Sequence, residues 1–365
     1  MRSFQVALSI ALAILCTTNG KDGCTYAPRE DSFASPEIFW INMDRSMERK
    51  SIMQKHLDSV GHLHRRVKGL SPSEIYIPEG VRSRWDSATA VVTTKEVIPS
   101  RAALAAKGHT FSHALLGLVG RRKNDINEVG CTSSHLEAIR QAIYDNRSTS
   151  RYAVIVEDDV HIPFNIDFHA LVASAPPDFA LLQLFNSNEG TMRNGWDKYS
   201  RNGFLWANTF QHQPAAFWST CAYIIDRAAL KPIIDKIAYV DNGWVNLKLA
   251  ACLKKPCRPL DSECCLQPQS GSDAQPVFTD TAPCIWSVKG YMADSFIYAL
   301  GKTYVLSVPL ITNGASSNTS TFHQEHVESI HRSAFRRQKR YINQLILGAK
   351  MPSFATIACK EPLPE

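Results

Sequence analysis

The sequence predicts an α/β fold in which a mostly parallel β-sheet is flanked by helices. Three segments support this prediction. Residues 38–43 (IFWINM) have the pattern of a buried strand that runs directly into a helix, and residues 152–156 (YAVIV) form a continuous apolar strand. Residues 222–225 (AYII) form a third strand that precedes another helical segment. Strands that alternate with helices are typical of a parallel sheet between helical layers.

The first helix is predicted directly after the first strand. Its apolar residues recur at roughly helical spacing: Met47, Ile52, Met53, Leu57 and Val60. The region that follows, residues 71–127, is interrupted by Pro72, Pro78, Gly80 and Pro99. Because proline and glycine interrupt regular elements, we expect a loop with at least one helix there.

A second helix is predicted over residues 131–146, before the strand at 152–156. Ser134 and Glu137 have the spacing of a capping box, which would place the start of the helix near Ser134. The apolar stripe of this helix consists of Leu136, Ile139 and Ile143. Further along the chain, residues 179–185 and 303–311 are strand-like, and residues 226–237 have a helical pattern.

Residues 240–290 differ from the rest in composition. Proline, serine, glutamine and glycine surround five cysteines, which are Cys252, Cys257, Cys264, Cys265 and Cys284. A stretch with so little apolar periodicity cannot be held by burial alone, so we predict a Cys-rich insertion with at least two disulfides. Zinc binding is the less favoured alternative, because the segment has no Cys-x-x-Cys pair and no histidine.

The N-terminus has the pattern of a secretory signal over residues 1–20. Arg2 precedes an apolar run from Phe4 to Cys16, which is too short to span a bilayer. We expect a cleaved signal peptide, with an uncleaved signal anchor as the alternative. Residues 21–350 are then assigned to one catalytic domain and residues 351–365 to a C-terminal tail.

The predicted location is the secretory pathway, in the endoplasmic reticulum or Golgi lumen, or outside the cell. Ten cysteines and the sequons at Asn146 and Asn318 fit that route. The composition, 44% hydrophobic and 20% charged, is that of an ordinary globular protein. A net charge of +6 is too modest to indicate a nucleic-acid partner. Membrane contact is expected only if the anchor is retained.

Three adjacent acids, Glu157, Asp158 and Asp159, directly follow the strand at residues 152–156. Ligands bind at the carboxyl ends of strands in open α/β sheets. Adjacent carboxylates raise one another's pKa unless a cation neutralises them, and their oxygens suit Mg²⁺ or Mn²⁺ shared with substrate phosphates. If the segment stays extended, Glu157 and Asp159 face one way and Asp158 the other. The alternative is an acidic turn that caps the next helix.

Five blocks occur in a fixed order along the chain: INMDRSMERK (41–50), NEVGCTSSH (127–135), VIVEDDV (154–160), STCAYIIDRAALKPI (219–233) and ADSFIYALGKTYVLSVPLI (293–311). Together they resemble glycosyltransferase family 25, which includes lipopolysaccharide β-galactosyltransferases and procollagen galactosyltransferases. The resemblance implies a GT-A-like fold, a UDP-sugar donor, a glycan or protein acceptor, and a divalent metal, usually Mn²⁺ with Mg²⁺ as the alternative. The chain departs from the family pattern at Ser46, where arginine is usual, and at Glu48, where aspartate is usual.

The resemblance also assigns residues to the donor. Asp44, Arg45 and Arg49 follow the first strand, where they would meet the nucleotide diphosphate and its ribose or base; a solvated helix face is the alternative for the two arginines. Ser134 and His135 would contact donor phosphate or sugar from a helix N-terminus, which favours anions. The alternative for His135 is a core histidine bonded to backbone.

The remaining assignments concern the metal and the base. Glu157 and Asp159 are the predicted metal ligands, and Glu157 and Asp158 are also assigned to donor binding. His323 is expected to complete the metal shell, with His326 as the alternative. Asp294 is the predicted catalytic base, because it is an isolated acid in an apolar run at a position that the resemblance marks. A helix N-cap is the alternative for Asp294.

The predicted function is metal-dependent transfer of galactose or glucose from a UDP-sugar to an acceptor hydroxyl. One alternative is a catalytically inactive carbohydrate-binding protein, although such a protein has no need to retain three repelling carboxylates. A second alternative is a metal-dependent phosphoester hydrolase, which would explain the acids but not the blocks at residues 41–50 and 127–135.

Overall fold

The computed structural model describes residues 35–77, 106, 113–117, 126–208, 218–241, 244–248, 251–252, 285–286, 292–314, 325–358 and 363. The strands in these ranges are β1 (Glu37–Asn42), β2 (His64–Lys68), β3 (Ile75–Tyr76), β4 (His113–Gly117), β5 (Tyr152–Glu157), β6 (Val160–His161), β7 (Phe164–Ile166), β8 (Leu181–Gln183), β9 (Trp206–Asn208), β10 (Ala222–Asp226), β11 (Ala238–Asp241), β12 (Trp244–Lys248), β13 (Ala251–Cys252), β14 (Ile285–Trp286), β15 (Thr303–Leu306), β16 (Thr312–Asn313) and β17 (Ala355–Ile357). The helices are α1 (Met47–Val60), α2 (Ile126–Tyr144), α3 (Phe168–Ala173), α4 (Glu189–Asn202), α5 (Arg227–Ile237), α6 (Ala293–Ile297) and α7 (Glu325–Ile346).

The main sheet has seven strands in the order β2-β1-β5-β10-β8-β15-β9. Strands β2, β1, β5, β8 and β15 run in one direction, whereas β10 and β9 run in the opposite one. The predicted α/β class with a mostly parallel sheet is therefore confirmed. The carboxyl ends of β5, β8 and β15 share one edge of this sheet, and the start of β10 joins them there. A second sheet has the order β11-β12-β4-β3.

Two apolar layers cover the main sheet, one on each face. Because side chains alternate along a strand, Val154 and Val156 of β5 face one layer and Ala153 and Ile155 face the other. Helices α2, α5 and α6 contribute to the layer around Ile155, and α1, α3, α4 and α7 to the layer around Val156. Burial of each Val or Ile side chain contributes roughly 1.5–3 kcal/mol, so β5 is firmly anchored. The backbone at the start of the acidic triplet is therefore held in place by the core.

Side-chain caps fix where several helices begin. Asp226, at the end of β10, accepts hydrogen bonds from the N–H groups of Ala228 and Ala229, so the chain turns directly from strand to helix. Asn188 caps α4 in the same way through the N–H of Thr191. Each such cap contributes about 1 kcal/mol. The strand–helix connections predicted from the sequence therefore have a local physical cause.

Several predicted boundaries were wrong. Helix α2 begins at Ile126, and Ser134 lies inside it, where its hydroxyl donates to the carbonyl of Gly130 (2.7 Å). The capping-box interpretation of Ser134 is thus incorrect, because a serine can bond to the carbonyl four residues before it as well as cap a helix. In α1, Met47 and Ile52 are exposed, although the apolar spacing had included them in the buried face.

The strand predictions were too long. Only Leu181–Gln183 of residues 179–185 and Thr303–Leu306 of residues 303–311 form strand. Residues 113–117 form strand β4 within the region expected to be loop and helix. Of the five cysteines predicted to form disulfides, Cys252 lies in β13 and the other four lie outside the described residues, so those disulfides stay a prediction. The predicted signal at residues 1–20 also lies outside the described residues. Within the part of the chain that is described, no helix is long and apolar enough to cross a membrane.

Candidate active site

The acidic triplet lies in a turn at the edge of the main sheet, where β1 and β5 both end. β5 ends with Glu157, and Asp158 and Asp159 form the turn before β6. Glu157 and Asp159 lie together with Cys221, such that one possible ligand atom from each falls within 4.8 Å of the others. Asp158 points away from them and pairs with Arg49 on α1. The segment is a turn and not an extended strand, yet Glu157 and Asp159 lie together while Asp158 pairs with Arg49.

Glu157 is held by two neighbouring side chains. His135 Nε2 lies 3.3 Å from Glu157 Oε1, and the hydroxyl of Thr220 donates to the same oxygen at 3.0 Å. The other ring nitrogen of His135, Nδ1, hydrogen-bonds to the hydroxyl of Tyr223 at 3.0 Å, which fixes the ring. Burial acts to raise the pKa of Glu157, but the contacts with His135 and Thr220 outweigh it and hold the pKa below its ordinary value. Glu157 is therefore a carboxylate at neutral pH.

Asp159 is in the opposite electrostatic situation. Burial, followed by the charges of Glu157 and Asp158, raises the pKa of Asp159 to about 7. Asn313 Nδ2 donates to Oδ2 at 3.2 Å, whereas Oδ1 is buried with no hydrogen-bond partner among the described residues. A buried carboxylate oxygen without a partner is costly unless a donor or a cation meets it. A divalent cation between Asp159 and Glu157 would supply the missing charge.

Asp158 belongs to a network that joins the turn to β1 and α1. Asn42 Nδ2 donates to Asp158 Oδ2 at 2.5 Å, and Arg49 Nη1 lies 3.2 Å from Oδ1. Burial raises the pKa of Asp158 above its ordinary value, against the opposing effects of Arg49 and Asn42. This places Arg49, a predicted donor-binding residue, in direct contact with the acidic triplet.

The carboxylate of Asp44 and two cations, Arg66 and Lys68, lie at the ends of β1 and β2. Asp44 pairs with Arg66 at 2.5 Å and with Lys68 at 3.2 Å, and these hydrogen bonds lower its pKa. Arg45 is exposed beside them. Arg66 and Lys68 were not predicted from the sequence. The available signal was their spacing of two residues in HRRVK, which puts both side chains on the same face of β2.

Ser134 and His135 do not open a helix, contrary to the prediction. Both are buried in the interior of α2, which begins at Ile126. The hydroxyl of Ser134 accepts from the N–H of Leu70 at 2.8 Å and is thereby engaged by the protein. His135 contacts Glu157 through its side chain, so it lies at the site without the helix N-terminus that had been its rationale. The alternative for His135, a core histidine bonded to backbone, is also wrong, because its two ring nitrogens contact the side chains of Glu157 and Tyr223.

Asp294 lies in the first turn of α6, where its side chain accepts a hydrogen bond from the N–H of Ser295 at 2.6 Å. The N-cap residue of α6 is Met292, so the N-cap interpretation of Asp294 is wrong. Helix α6 packs against α2. After burial, the charges of Glu157 and Asp294 both raise the pKa of the Cys131 thiol on α2, so both acids lie on the side of the sheet that carries α2. His323 lies outside the described residues.

Two free cysteines lie at the centre of this region, Cys131 on α2 and Cys221 before β10. Burial raises the pKa of both thiols well above the ordinary value, and for Cys131 the charges of Glu157, Asp294 and Asp159 add to burial. Both therefore remain protonated thiols at neutral pH in the absence of a cation. Cys221 was not predicted at the site, because only the antiparallel pairing of β10 with β5 brings it there.

The backbone that leads into Cys221 is strained and held in place. Ser219 has φ of 84°, a left-handed conformation that a non-glycine residue rarely adopts. Its carbonyl accepts hydrogen bonds from the hydroxyl of Tyr298 at 2.7 Å and from Nε2 of Gln183 at 3.1 Å. Strain of this kind costs on the order of 1–3 kcal/mol and often occurs at functional sites. It presents Thr220 and Cys221 to Glu157.

The residues fit a divalent cation. Glu157 and Asp159 offer hard carboxylate oxygens, the donors that Mg²⁺ and Mn²⁺ prefer, and Asp159 Oδ1 is the buried atom that lacks a partner among the described residues. Cys221 Sγ is a softer donor in the same group. Two cations, Arg49 and Arg66, lie on the α1 side of the triplet, where they suit an anionic ligand.

Comparison with known proteins gives one family. The model described as "Glycosyltransferase family 25 (LPS biosynthesis protein)" matches residues 35–242, more than half of the 365 residues. The matched region contains the acidic triplet, His135 and Cys221, whereas Asp294 and β15 lie beyond it. Among curated proteins, no match to this chain is found.

Proposed function

Because this chain belongs to glycosyltransferase family 25, we propose that it transfers galactose or glucose from a UDP-sugar to a hydroxyl of a glycan or protein acceptor. Membership of the family makes the chain a glycosyltransferase in general terms. The observation that carries the finer proposal is the pairing of Asp159 with Glu157 at the carboxyl end of β5, with Asp159 Oδ1 buried and lacking a partner among the described residues.

A divalent cation, Mn²⁺ or Mg²⁺, would be held by Glu157 and Asp159, with Cys221 as a further candidate ligand. When bound, it would act as a Lewis acid that stabilises charge on the diphosphate leaving group. His135 and Thr220 hold Glu157 as a carboxylate, since both contact its Oε1. Asn313 orients Asp159 through Oδ2 and leaves Oδ1 available.

The donor diphosphate would lie on the α1 side of the triplet. Arg49 is fixed there by Asp158, and Arg66 and Lys68 lie at the end of β2 beside Asp44. Fixed guanidinium groups bind phosphate oxygens with charge-assisted hydrogen bonds. Pre-positioned cations also cost little reorganisation as negative charge develops on the leaving group.

Asp294 is the proposed base for the acceptor hydroxyl. It approaches the region from α6, on the face of the sheet that carries α2, and it acts electrostatically on the same thiol as Glu157. A base in this position would take the proton while the diphosphate departs toward the α1 side. A positioned base of this kind contributes typically 10²–10⁴-fold to the rate.

The proposed setting is the lumen of the secretory pathway, or the exterior, as the N-terminal pattern predicts. The two free cysteines of the site are consistent with this setting only if they stay inaccessible to oxidants. Burial and their raised pKa values favour that outcome, because the reactive species is the thiolate.

The test is UDP release across a panel of UDP-sugars, with Mn²⁺, with chelator, and with Mn²⁺ restored, together with calorimetry of UDP binding. We expect turnover of UDP-galactose or UDP-glucose that stops with chelator and returns with metal. Metal-dependent UDP binding without turnover of any donor, in the presence of candidate glycan acceptors, would indicate an inactive binding protein. Cleavage of phosphoesters with no sugar transfer would indicate a hydrolase.

A further inference from the structure

Tyr298 is a buried tyrosine that directly follows α6, the helix that carries Asp294. Its backbone is held on both sides. The N–H donates to the carbonyl of Asp294 at 3.3 Å, and the carbonyl accepts from the hydroxyl of Thr303 at 2.8 Å. The side-chain hydroxyl donates to the backbone carbonyl of Ser219 at 2.7 Å. Because Ser219 begins the segment that leads to the acidic triplet, Tyr298 joins the helix of the proposed base to the proposed metal site.

The first contact that orients Glu157 depends on this hydrogen bond. The hydroxyl of Thr220 donates to Glu157 Oε1 at 3.0 Å. Thr220 follows Ser219, whose φ of 84° is the one positive value at a non-glycine position among the described residues. The carbonyl of Ser219 has two donors, Tyr298 Oη at 2.7 Å and Gln183 Nε2 at 3.1 Å. Backbone strain of this kind persists only where surrounding contacts enforce it, and it is similar in free energy to one hydrogen bond. Loss of one donor therefore lets the turn relax.

The second contact that orients Glu157 leads back to the same tyrosine. His135 Nε2 lies 3.3 Å from Glu157 Oε1, and His135 Nδ1 hydrogen-bonds to the hydroxyl of Tyr223 at 3.0 Å. The ring of Tyr298 packs edge-on against the ring of Tyr223, with the centroids 6.0 Å apart and an interplanar angle of 84°. Edge-to-face contacts stabilise an aromatic pair beyond the burial of its area. Both contacts to Glu157 Oε1 are thus supported by Tyr298.

We propose that Tyr298 is a positioning residue that holds Glu157 in its cation-binding orientation. It acts through the turn at Ser219 on one side, and through Tyr223 and His135 on the other. Tyr298 is not itself a ligand, so removal of its hydroxyl weakens cation binding although every ligand is retained. The inference rests on the proposed function, because it takes Glu157 as a ligand of the divalent cation.

The test measures the Mn²⁺ affinity of the whole chain by electron paramagnetic resonance, in which free Mn²⁺ gives the signal. Tyr298→Phe removes the hydroxyl and keeps the ring, so Mn²⁺ affinity should fall about five- to tenfold, the equivalent of one net hydrogen bond. Tyr199→Phe is the matched control. Tyr199 is also buried, and its hydroxyl donates to a backbone carbonyl, that of Lys350, at 2.8 Å, in the apolar layer on the other face of the sheet. This control should leave Mn²⁺ affinity unchanged.

A second substitution, at Ser219, separates positioning from packing. Glycine adopts a positive φ without strain, so adding Ser219→Gly to Tyr298→Phe should restore Mn²⁺ affinity to within about twofold of the wild type. Adding Ser219→Ala also removes the serine hydroxyl but keeps the strain, so it should restore nothing. If Tyr298 only filled the core, the glycine and alanine double variants would bind Mn²⁺ equally.

The outcomes distinguish this inference from the proposed function. Unchanged Mn²⁺ affinity in Tyr298→Phe, or equal affinity in the two double variants, would overturn the positioning role and leave the proposed function standing. A fall in the melting temperature of Tyr298→Phe that Ser219→Gly does not reverse would also overturn it, because the hydroxyl would then serve the fold. Weaker Mn²⁺ binding with rescue, in a protein that transfers no sugar, would support the positioning role and reject the proposed transfer. Absence of Mn²⁺ binding by the wild type would reject both.

Discussion

Replacing Asp159 by asparagine should make the metal-free protein more stable while abolishing its response to Mn²⁺. Asparagine keeps the shape of the side chain and an oxygen that can accept from Asn313, but it removes the charge. The pKa of Asp159 is about 7 in the folded chain against an ordinary value of 3.8. That difference of about 3 pH units corresponds to about 4 kcal/mol at roughly 1.4 kcal/mol per unit.

The sign follows from the protons bound. Between pH 4 and pH 7 the folded state holds the Asp159 proton and the unfolded state has released it, so stability falls as pH rises through this window. Above pH 7 the full cost is present. The gain from Asp159→Asn should therefore be near zero at pH 4 and grow to at most about 4 kcal/mol at pH 8. Hydration and movement of Glu157 reduce this ceiling.

The assay is urea denaturation in chelator at pH 5, 6, 7 and 8, repeated at pH 8 with Mn²⁺. Wild type should be stabilised by Mn²⁺ and the variant should not, because binding to the folded state alone raises its stability. Asp167→Asn is the matched control: this exposed residue caps α3, and asparagine caps a helix about as well as aspartate. A gain that does not change with pH, or a variant less stable than wild type at pH 8, would refute the electrostatic account of the site.

Three further variants test Arg49, Asp294 and His56. Arg49→Met should lower the free energy of unfolding in urea by about 3 kcal/mol, because it leaves Asp158 as a buried charge without its cation. It should also weaken UDP binding in calorimetry, and unchanged UDP affinity would remove Arg49 from the donor site. Asp294→Asn should slow transfer about 100-fold while UDP affinity stays near wild type, and near-normal transfer would exclude Asp294 as the base. Burial, with the nearby His161, lowers the pKa of His56 to about 3, so the wild type should lose stability as pH falls from 6.5 toward 3, because there the unfolded state binds the extra proton. In His56→Gln, whose side-chain oxygen can still accept from the N–H of Ile162, this acid loss should be reduced by up to about 4 kcal/mol, and identical acid profiles would contradict the assignment.

The sheet was predictable because its strands are marked locally. β5 and β10 are short apolar runs with clear ends, and Asp226 signals the helix that follows β10. The start of α2 was not predictable in the same way. Ser134 has the spacing of a cap, and only its contact with Gly130 and Leu70 shows that it lies within the helix. Local chemistry permits both arrangements, and tertiary packing selects one.

The acidic triplet was found because three charges in a row after an apolar strand are conspicuous. The residues that contact the triplet were not found from the sequence, because each comes from a distant segment. Cys221 reaches Glu157 because β10 runs antiparallel to β5, and Asn313 reaches Asp159 across 154 residues of sequence.

The order in which the main sheet is assembled has a consequence for synthesis of the chain. β5 and the acidic triplet are synthesised more than 130 residues before Asp294, Asn313 and strand β15. A nascent or truncated chain that stops at the end of the family match would expose β8 as an edge strand, since β15 is its outer neighbour. Exposed strand edges favour aggregation, and Asp159 would lack Asn313. We therefore do not expect the family-matched segment on its own to be soluble or to bind metal. A chain whose synthesis stops there would be a substrate for protein quality control.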